Sequence, residues 1–265
     1  MSHARHQLQR RRNAIARLDS IMSHQRHLLI IHYSCESFYD RTDGRSPRIT
    51  SIAIRNVGAG NTDSFSIHQV AERDGLELKE IPSSYDALEI RMLDEFGEYV
   101  RSHAAFQWLH WNMRDANYGF AAIEHRHRVL KGTPTLVPED SRTELANLLI
   151  EIYGAGYVGH PRLTRLLELN RIAAPGFLSG AEEATAFEQG DYVRLHQSTL
   201  RKVDAIQNLL IRTWDGTLRT SARRRDIYGM TLGGIVESMT DHWLFKLFGA
   251  IAILASIIGA VALAF

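Results

Sequence analysis

The chain has 265 residues, of which 45% are apolar, 23% charged and 9% aromatic, and its formal net charge is +1. That length buries one good core with a small appendage, and the composition excludes a chain disordered throughout. A net charge near zero excludes a global pull toward nucleic acid, and the single cysteine, Cys35, excludes an internal disulfide and fits a reducing compartment.

Residues 4–24 fit an amphipathic helix, with Leu8, Ile15, Leu18 and Met22 on one stripe. Arg5, Arg10, Arg11, Arg12, Arg17 and Arg26 stand against one acid, Asp19, so the segment is either a solvated basic face or a surface for phosphate or anionic lipid. No apolar stretch of the signal-peptide kind is present there, so no secretory signal is expected. A strand is expected over 27–36, then a turn-rich loop containing Asp40 and Asp43, then a β-branched strand over 48–55. Gly58 and Gly60 mark a turn, and the alternation over 64–70 predicts a third strand, which completes an antiparallel meander.

Helical spacing begins at 85–101, with Leu88, Met92, Leu93, Phe96 and Val100 on one face. A short apolar strand follows at 104–110, then a helix over 115–130 and a loop over 131–138. Ser141 and Glu144 read as a capping box opening a helix through Tyr153. Gly154, Gly156 and Gly159 break that helix; they lack the lysine of a phosphate loop and follow a helix, not a strand. Pro161 suits the first turn of a helix through Asn170, and two further helices are expected, within 181–213 and 227–240. A meander followed by mixed strands and helices predicts an α/β domain with a mixed sheet.

The tail stands apart. Leu247 to Phe265 contains no charge, amide or proline. Nineteen such residues make a helix of roughly 28 Å, the thickness of a bilayer's hydrocarbon core. Trp243 and Lys246 fall where interfacial anchors belong, and Arg219, Arg223, Arg224 and Arg225 keep the preceding chain on the cytoplasmic side. A C-terminal transmembrane anchor is expected. Ala252, Ser256, Ala260 and Ala264 recur every four residues, which suits either a self-association face or lipid-facing filler.

Three acidic residues end or flank apolar runs: Glu36 after His27–Cys35, Asp115 after His110-Trp-Asn-Met-Arg, and Asp204 in Lys202-Val-Asp204-Ala205. Carboxylates gathered on a central sheet hold divalent cations for phosphodiester chemistry. In this order the stretches resemble the proofreading-type 3′–5′ exonucleases of ribonuclease H-like fold, the DEDD group that includes ribonuclease T and oligoribonuclease. The family's Asp-x-Glu strand and its "RITEIA" strand match Ser34-Cys35-Glu36 and Arg48-Ile-Thr-Ser-Ile-Ala53. Its His-Asn-x-x-Phe-Asp motif matches His110 to Asp115, with Asn112 one place late. Its penultimate helix matches His160 to Ile172, and its final Asp-Ala matches Asp204-Ala205. The likeness spans roughly 27–212. It implies a ribonuclease H-like mixed sheet flanked by helices, with Mg²⁺ or Mn²⁺ held by Glu36, Asp115 and Asp204.

Two departures accompany the matches. Ser34 stands where the family's metal-bridging aspartate belongs, and a neutral hydroxyl lacks the charge to bind two cations. Thr199 and Leu200 stand where its general base belongs. His196 lies eight residues before Asp204, about 12 Å along a helix, and serves as base only if the helix starts after it, capped by Ser198. Asp40 or Asp43 are candidates to replace the missing ligand. Each matched acid also has a plain structural reading: Glu36 as a strand-end partner of an arginine, Asp115 as a helix cap, Asp204 as a surface partner of Arg201 or Lys202.

The expected organisation is a basic amphipathic helix (1–26), an exonuclease-like domain (27–213), a basic linker with a helix (214–242) and a membrane anchor (243–265). The first expected function is a membrane-anchored, metal-dependent nuclease or phosphodiesterase acting on nucleic acid or a nucleotide, with Glu36, Asp115, Asp204 and His196 as its catalytic residues. The alternative keeps the fold without the chemistry: a binding or sensing module coupled to a self-associating membrane helix, as in an antiviral defence effector.

Overall fold

The structure, a computed structural model, describes residues 3–36, 46–113, 118–223 and 227–228. The expected tail anchor, its Ala252, Ser256, Ala260 and Ala264 face, the loop acids Asp40 and Asp43, Asp115, and nearly all of the helix expected at 227–240 lie outside the described residues. Among the described residues no helix is long and apolar enough to cross a membrane.

Helix α1 (His3–Ser23) leads through a short 3-10 turn into β1 (Leu28–Cys35), followed by β2 (Ile49–Asn56) and β3 (Thr62–Ser66). Then come α2 (Ile67–Arg73), α3 (Ile81–Ser102), β4 (Gln107–His110), α4 (Phe120–Val129), β5 (Arg142–Glu144), α5 (Leu145–Tyr153), α6 (Arg162–Leu169), α7 (Gly180–Glu188) and α8 (Tyr192–Trp214). The five strands form one mixed sheet in the order β3-β2-β1-β4-β5, with β2 antiparallel to β1 and β3, and β4 and β5 running parallel to β1. The α/β class and the mixed sheet with flanking helices agree with the sequence reading.

Every residue of β1 is buried, as a central strand covered on both faces requires. Because side chains alternate along a strand, Leu29, Ile31, Tyr33 and Cys35 enter one core with α3, while Leu28 and Ile30 enter the other with α5 and α8. Helix α1 belongs to that second core: Ala14, Leu18 and Met22 pack in one cluster with Leu148, Leu149 and Ile152 of α5. Helix α8 lies across β1 and β2.

Several local expectations are corrected. The alternation at 64–70 is half strand and half helix: the chain turns helical at Ile67, and Ile67, Val70 and Ala71 are buried at helical spacing. The capping box at Ser141 does not form, because residues 142–144 pair with β4; Glu144 itself caps α5, accepting from Ala146 N–H at 3.1 Å. The single helix expected within 181–213 is two, broken at Gly190, whose φ of 72° favours glycine.

Candidate functional site

In an open sheet with parallel strands, ligands bind outside the carboxyl ends of the strands where the chain's connections diverge. Here that point lies between β1 and β4: β1 leads to β2 on one side, and β4 leads to β5 on the other. Ser34, Cys35 and Glu36 close β1 there, and His110 to Met113 close β4.

The β4 side is tightly built. Asn112 adopts a left-handed backbone, φ 57°, and donates its N–H to Glu144 Oε1 at 2.9 Å. Met113 N–H donates to His110 Nδ1 at 3.2 Å, so Nδ1 carries no proton. Glu144 Oε2 lies 3.4 Å from that nitrogen and accepts no hydrogen bond among the described residues. Above β1, Tyr118 stacks on Tyr33 at 4.6 Å and donates its hydroxyl to the Tyr33 carbonyl at 3.1 Å. Burial, reinforced by the charge of Lys202, holds His32 well below the usual imidazole range, so it is neutral.

Ser34 is fully buried within a polar knot. Its hydroxyl donates to Glu183 Oε1 at 2.9 Å and lies 2.7 Å from Thr199 Oγ1, which in turn lies 2.7 Å from Ser51 Oγ. Ser198 also donates to Glu183 Oε1, at 3.0 Å, and Lys202 Nζ reaches the same oxygen at 2.7 Å. Glu183 is 0% and Lys202 7% exposed at the side chain. The carboxylate that Ser34 meets among the described residues, Glu183, is thus already matched by an internal ammonium.

Of the four residues expected to carry catalysis, the three that are described, Glu36, Asp204 and His196, do not form one site. Glu36 lies at the carboxyl end of β1, where its backbone and Oε2 bond Arg48. Asp204 lies near the other end. Helix α8 runs antiparallel to β1: Thr199 meets Ser34 and Ser51, while Gln207 meets Arg55, which pairs with Ile30. Asp204 shares Arg55 as an ion partner, and Arg55 stands opposite a residue six positions before Glu36 on β1. Strand and helix rises put roughly 15–20 Å between the two carboxylates, beyond any shared ion. Two guanidiniums, Arg55 at 3.9 Å and Arg201 at 3.7 Å, further oppose a cation at Asp204. Of the two surface partners proposed for Asp204, Arg201 is one and Lys202 is not, since Lys202 points into the core.

His196 does not meet the condition set for it as a base, a helix that starts after it. Helix α8 starts at Tyr192, capped by Asp191, so the helix is continuous from His196 to Asp204 and Ser198 caps nothing. His196 turns toward β3, with Nε2 3.3 Å from Ser64 Oγ and its ring edge-on to His68. Burial, with a smaller push from His68, lowers it to about 4. Asp115 lies outside the described residues. Among those described, no three His, Cys, Asp or Glu side chains gather for a metal ion. Among the described residues, Ser34, a matched Glu183 and two distant carboxylates do not by themselves fit a two-cation centre of the kind the resemblance implies.

A second buried ion pair supports the floor of the β1 end. Arg126 on α4 donates Nε and Nη2 to Glu89 on α3, and Glu89 also accepts from Ile49 N–H at 2.6 Å. Burial raises the Glu89 carboxyl, opposed by its bonds to Arg126 and Ile49. Glu183 and Glu89 did not stand out in the sequence, and Lys202 was read there only as a surface partner for Asp204. A signal existed for Lys202, which falls on the buried stripe of α8 with Leu195, Thr199 and Ile206. Compared with models of protein families, with curated proteins and with solved structures, the chain gave no match.

Proposed function

We propose that this chain is a membrane-tethered binding or sensing module that uses a ribonuclease H-like sheet without its two-cation chemistry. An antiparallel meander followed by further strands, with helices on both faces, supports the fold assignment. The observation that carries the loss of chemistry is Ser34: the residue in the bridging position is a hydroxyl sealed against Glu183, and Lys202 supplies the positive charge at that carboxylate. Filling such a pocket with an ammonium trades a metal-binding site for a structural tie between α7, α8 and β1. The apolar run Leu247–Phe265 supplies the tether, and its small-residue face a means of assembling copies.

Two measurements test this reading. The full chain, incubated with labelled RNA and DNA oligonucleotides and Mn²⁺, is expected to give no cleavage above that of its Glu36→Ala and Asp115→Ala variants. Mn²⁺-dependent cleavage abolished by either substitution overturns the reading and restores the nuclease. Membrane fractions should retain the full chain through a high-salt wash and release a chain lacking 247–265; release of both rejects the tether.

A further inference from the structure

Asp204 is a poor metal ligand, yet it sits in a cleft. The outer face of α8 and the segment 172–175 enclose about 450 Å³, within the range of small-molecule sites. Arg55, Arg201, Asp204 and Asn208 supply its polar groups; Ile172, Pro175 and Ile211 supply its apolar ones.

The two arginines are prepared differently. Arg55 is fixed: Nε donates to Gln207 Oε1 at 2.8 Å and Nη1 to Thr62 Oγ1 at 2.9 Å, leaving Nη2 without a partner among the described residues. Arg201 is 53% exposed at its side chain, and among the described residues it meets only Asp204, at 3.7 Å. Neither contact with Asp204 has the short, bidentate geometry of a satisfied arginine–carboxylate pair. The cleft therefore holds two guanidiniums, one carboxylate and several uncommitted donors, an excess of one positive charge. Two turns along α8 from Asp204, on the same face, Ile211 is 39% exposed, an apolar surface that a bound ring or sugar would cover.

We propose that this cleft binds a small phosphate ester on a hydroxyl-bearing body. Arg55 and Arg201 hold the phosphate oxygens, Asp204 accepts from a hydroxyl or amino group, and Ile172, Pro175 and Ile211 cover the body. An arginine fork suits tetrahedral oxyanions, and the fixed Arg55 needs little reordering to bind. The inner side of the same α8 segment carries Lys202, whose ammonium lies 5.3 Å from the ring of Phe177, just beyond the 172–175 wall. The cleft is thereby braced by the buried tie at Ser34. This inference rests on the reading of the chain as a binding module and names what it binds.

Equilibrium dialysis of the full chain in detergent micelles against labelled adenosine 5′-monophosphate tests it, with inorganic phosphate and adenosine as competitors. Saturable binding is expected, with both competitors weaker than the labelled probe. Arg201→Glu should weaken binding roughly 10- to 100-fold, without changing the melting temperature. Arg165→Glu, at an exposed side chain of α6, should leave it unchanged. No saturable binding by protein of native melting temperature, or binding indifferent to Arg201→Glu, overturns the site. Adenosine competing as well as the monophosphate removes the anion contact, and inorganic phosphate competing equally removes the contact with the body. A negative result here leaves the loss of cation chemistry standing, because that is decided separately by Mn²⁺-dependent cleavage.

Discussion

Lys202 Nζ lies 2.7 Å from Glu183 Oε1, with both side chains closed off from water and two serine hydroxyls on the same oxygen. Removing one member of such a pair leaves the other charge buried and unmatched. Lys202→Met should therefore cost about 3–5 kcal/mol, read by urea unfolding of the full chain. Glu183→Gln together with Lys202→Met should cost less than the sum of the two single changes, because the double variant buries no unmatched charge. Strict additivity would mean that the two groups do not interact.

Ser34→Asp restores the family's acidic residue in sequence but not its surroundings. The new carboxylate would stand beside Glu183 with one ammonium between the two. The variant should lose about 3 kcal/mol or more at neutral pH. Repulsion raises the folded-state carboxyl pKa above its unfolded value, so the loss should shrink as the pH falls and one carboxyl takes a proton. Thermal unfolding at pH 5 and pH 8 checks both parts. Stabilisation by Mn²⁺ instead would show that the pocket still accepts a cation.

His196 predicts an acid sensitivity. Its folded value is about 4 against an ordinary 6.5. Between those values the unfolded chain binds more protons than the folded one, so the stabilisation present above pH 6.5 is lost as the pH falls toward 4. The full effect is ~3 kcal/mol at most. His32, also held neutral by burial, adds to it in the same direction. Unfolding free energies across pH 4–7 should show a flatter slope for His196→Gln than for the parent chain, while an unchanged slope would place the titration elsewhere.

Gly58 makes a steric prediction. A Cβ there would meet Arg26 Cα and N at 2.7 Å, both backbone atoms that cannot step aside. The β2–β3 turn packs against the approach to β1, with Gly58 N–H donating to Gln25 O at 2.9 Å. Gly58→Ala should cost about 1–3 kcal/mol. Gly156→Ala, which meets nothing within 4 Å, should leave the melting temperature nearly unchanged. Equal effects at the two positions would contradict the packing described.

The sheet was legible because β1 and β2 are apolar along their length and the turn at Gly58 and Gly60 is explicit. The end of β3 was not, because Ile67, Val70 and Ala71 satisfy strand alternation in part and helical spacing in full, and only packing against α3 decides. Glu144 misled for a similar reason: the carboxylate expected at the third place of a capping box sits one turn earlier, as the cap itself, accepting from Ala146 N–H. Asp204 could be placed on a helix but not at a level along it. The register between α8 and β1, which separates it from Glu36, is a tertiary quantity that one sequence does not encode locally. The departure at Ser34 was plain in the sequence. What replaced the missing charge was not, since Glu183 reads as a first-turn glutamate, usually solvated, and Lys202 as one more surface lysine.

The sequence set residues 1–26 apart as a basic amphipathic helix, yet α1 roofs α5 with Ala14, Leu18 and Met22. A fragment begun at residue 27 would bare the greasy flank of α5. Clumping of that fragment in a gel-filtration run would report a wound made by the scissors, and should not be mistaken for the way intact copies gather.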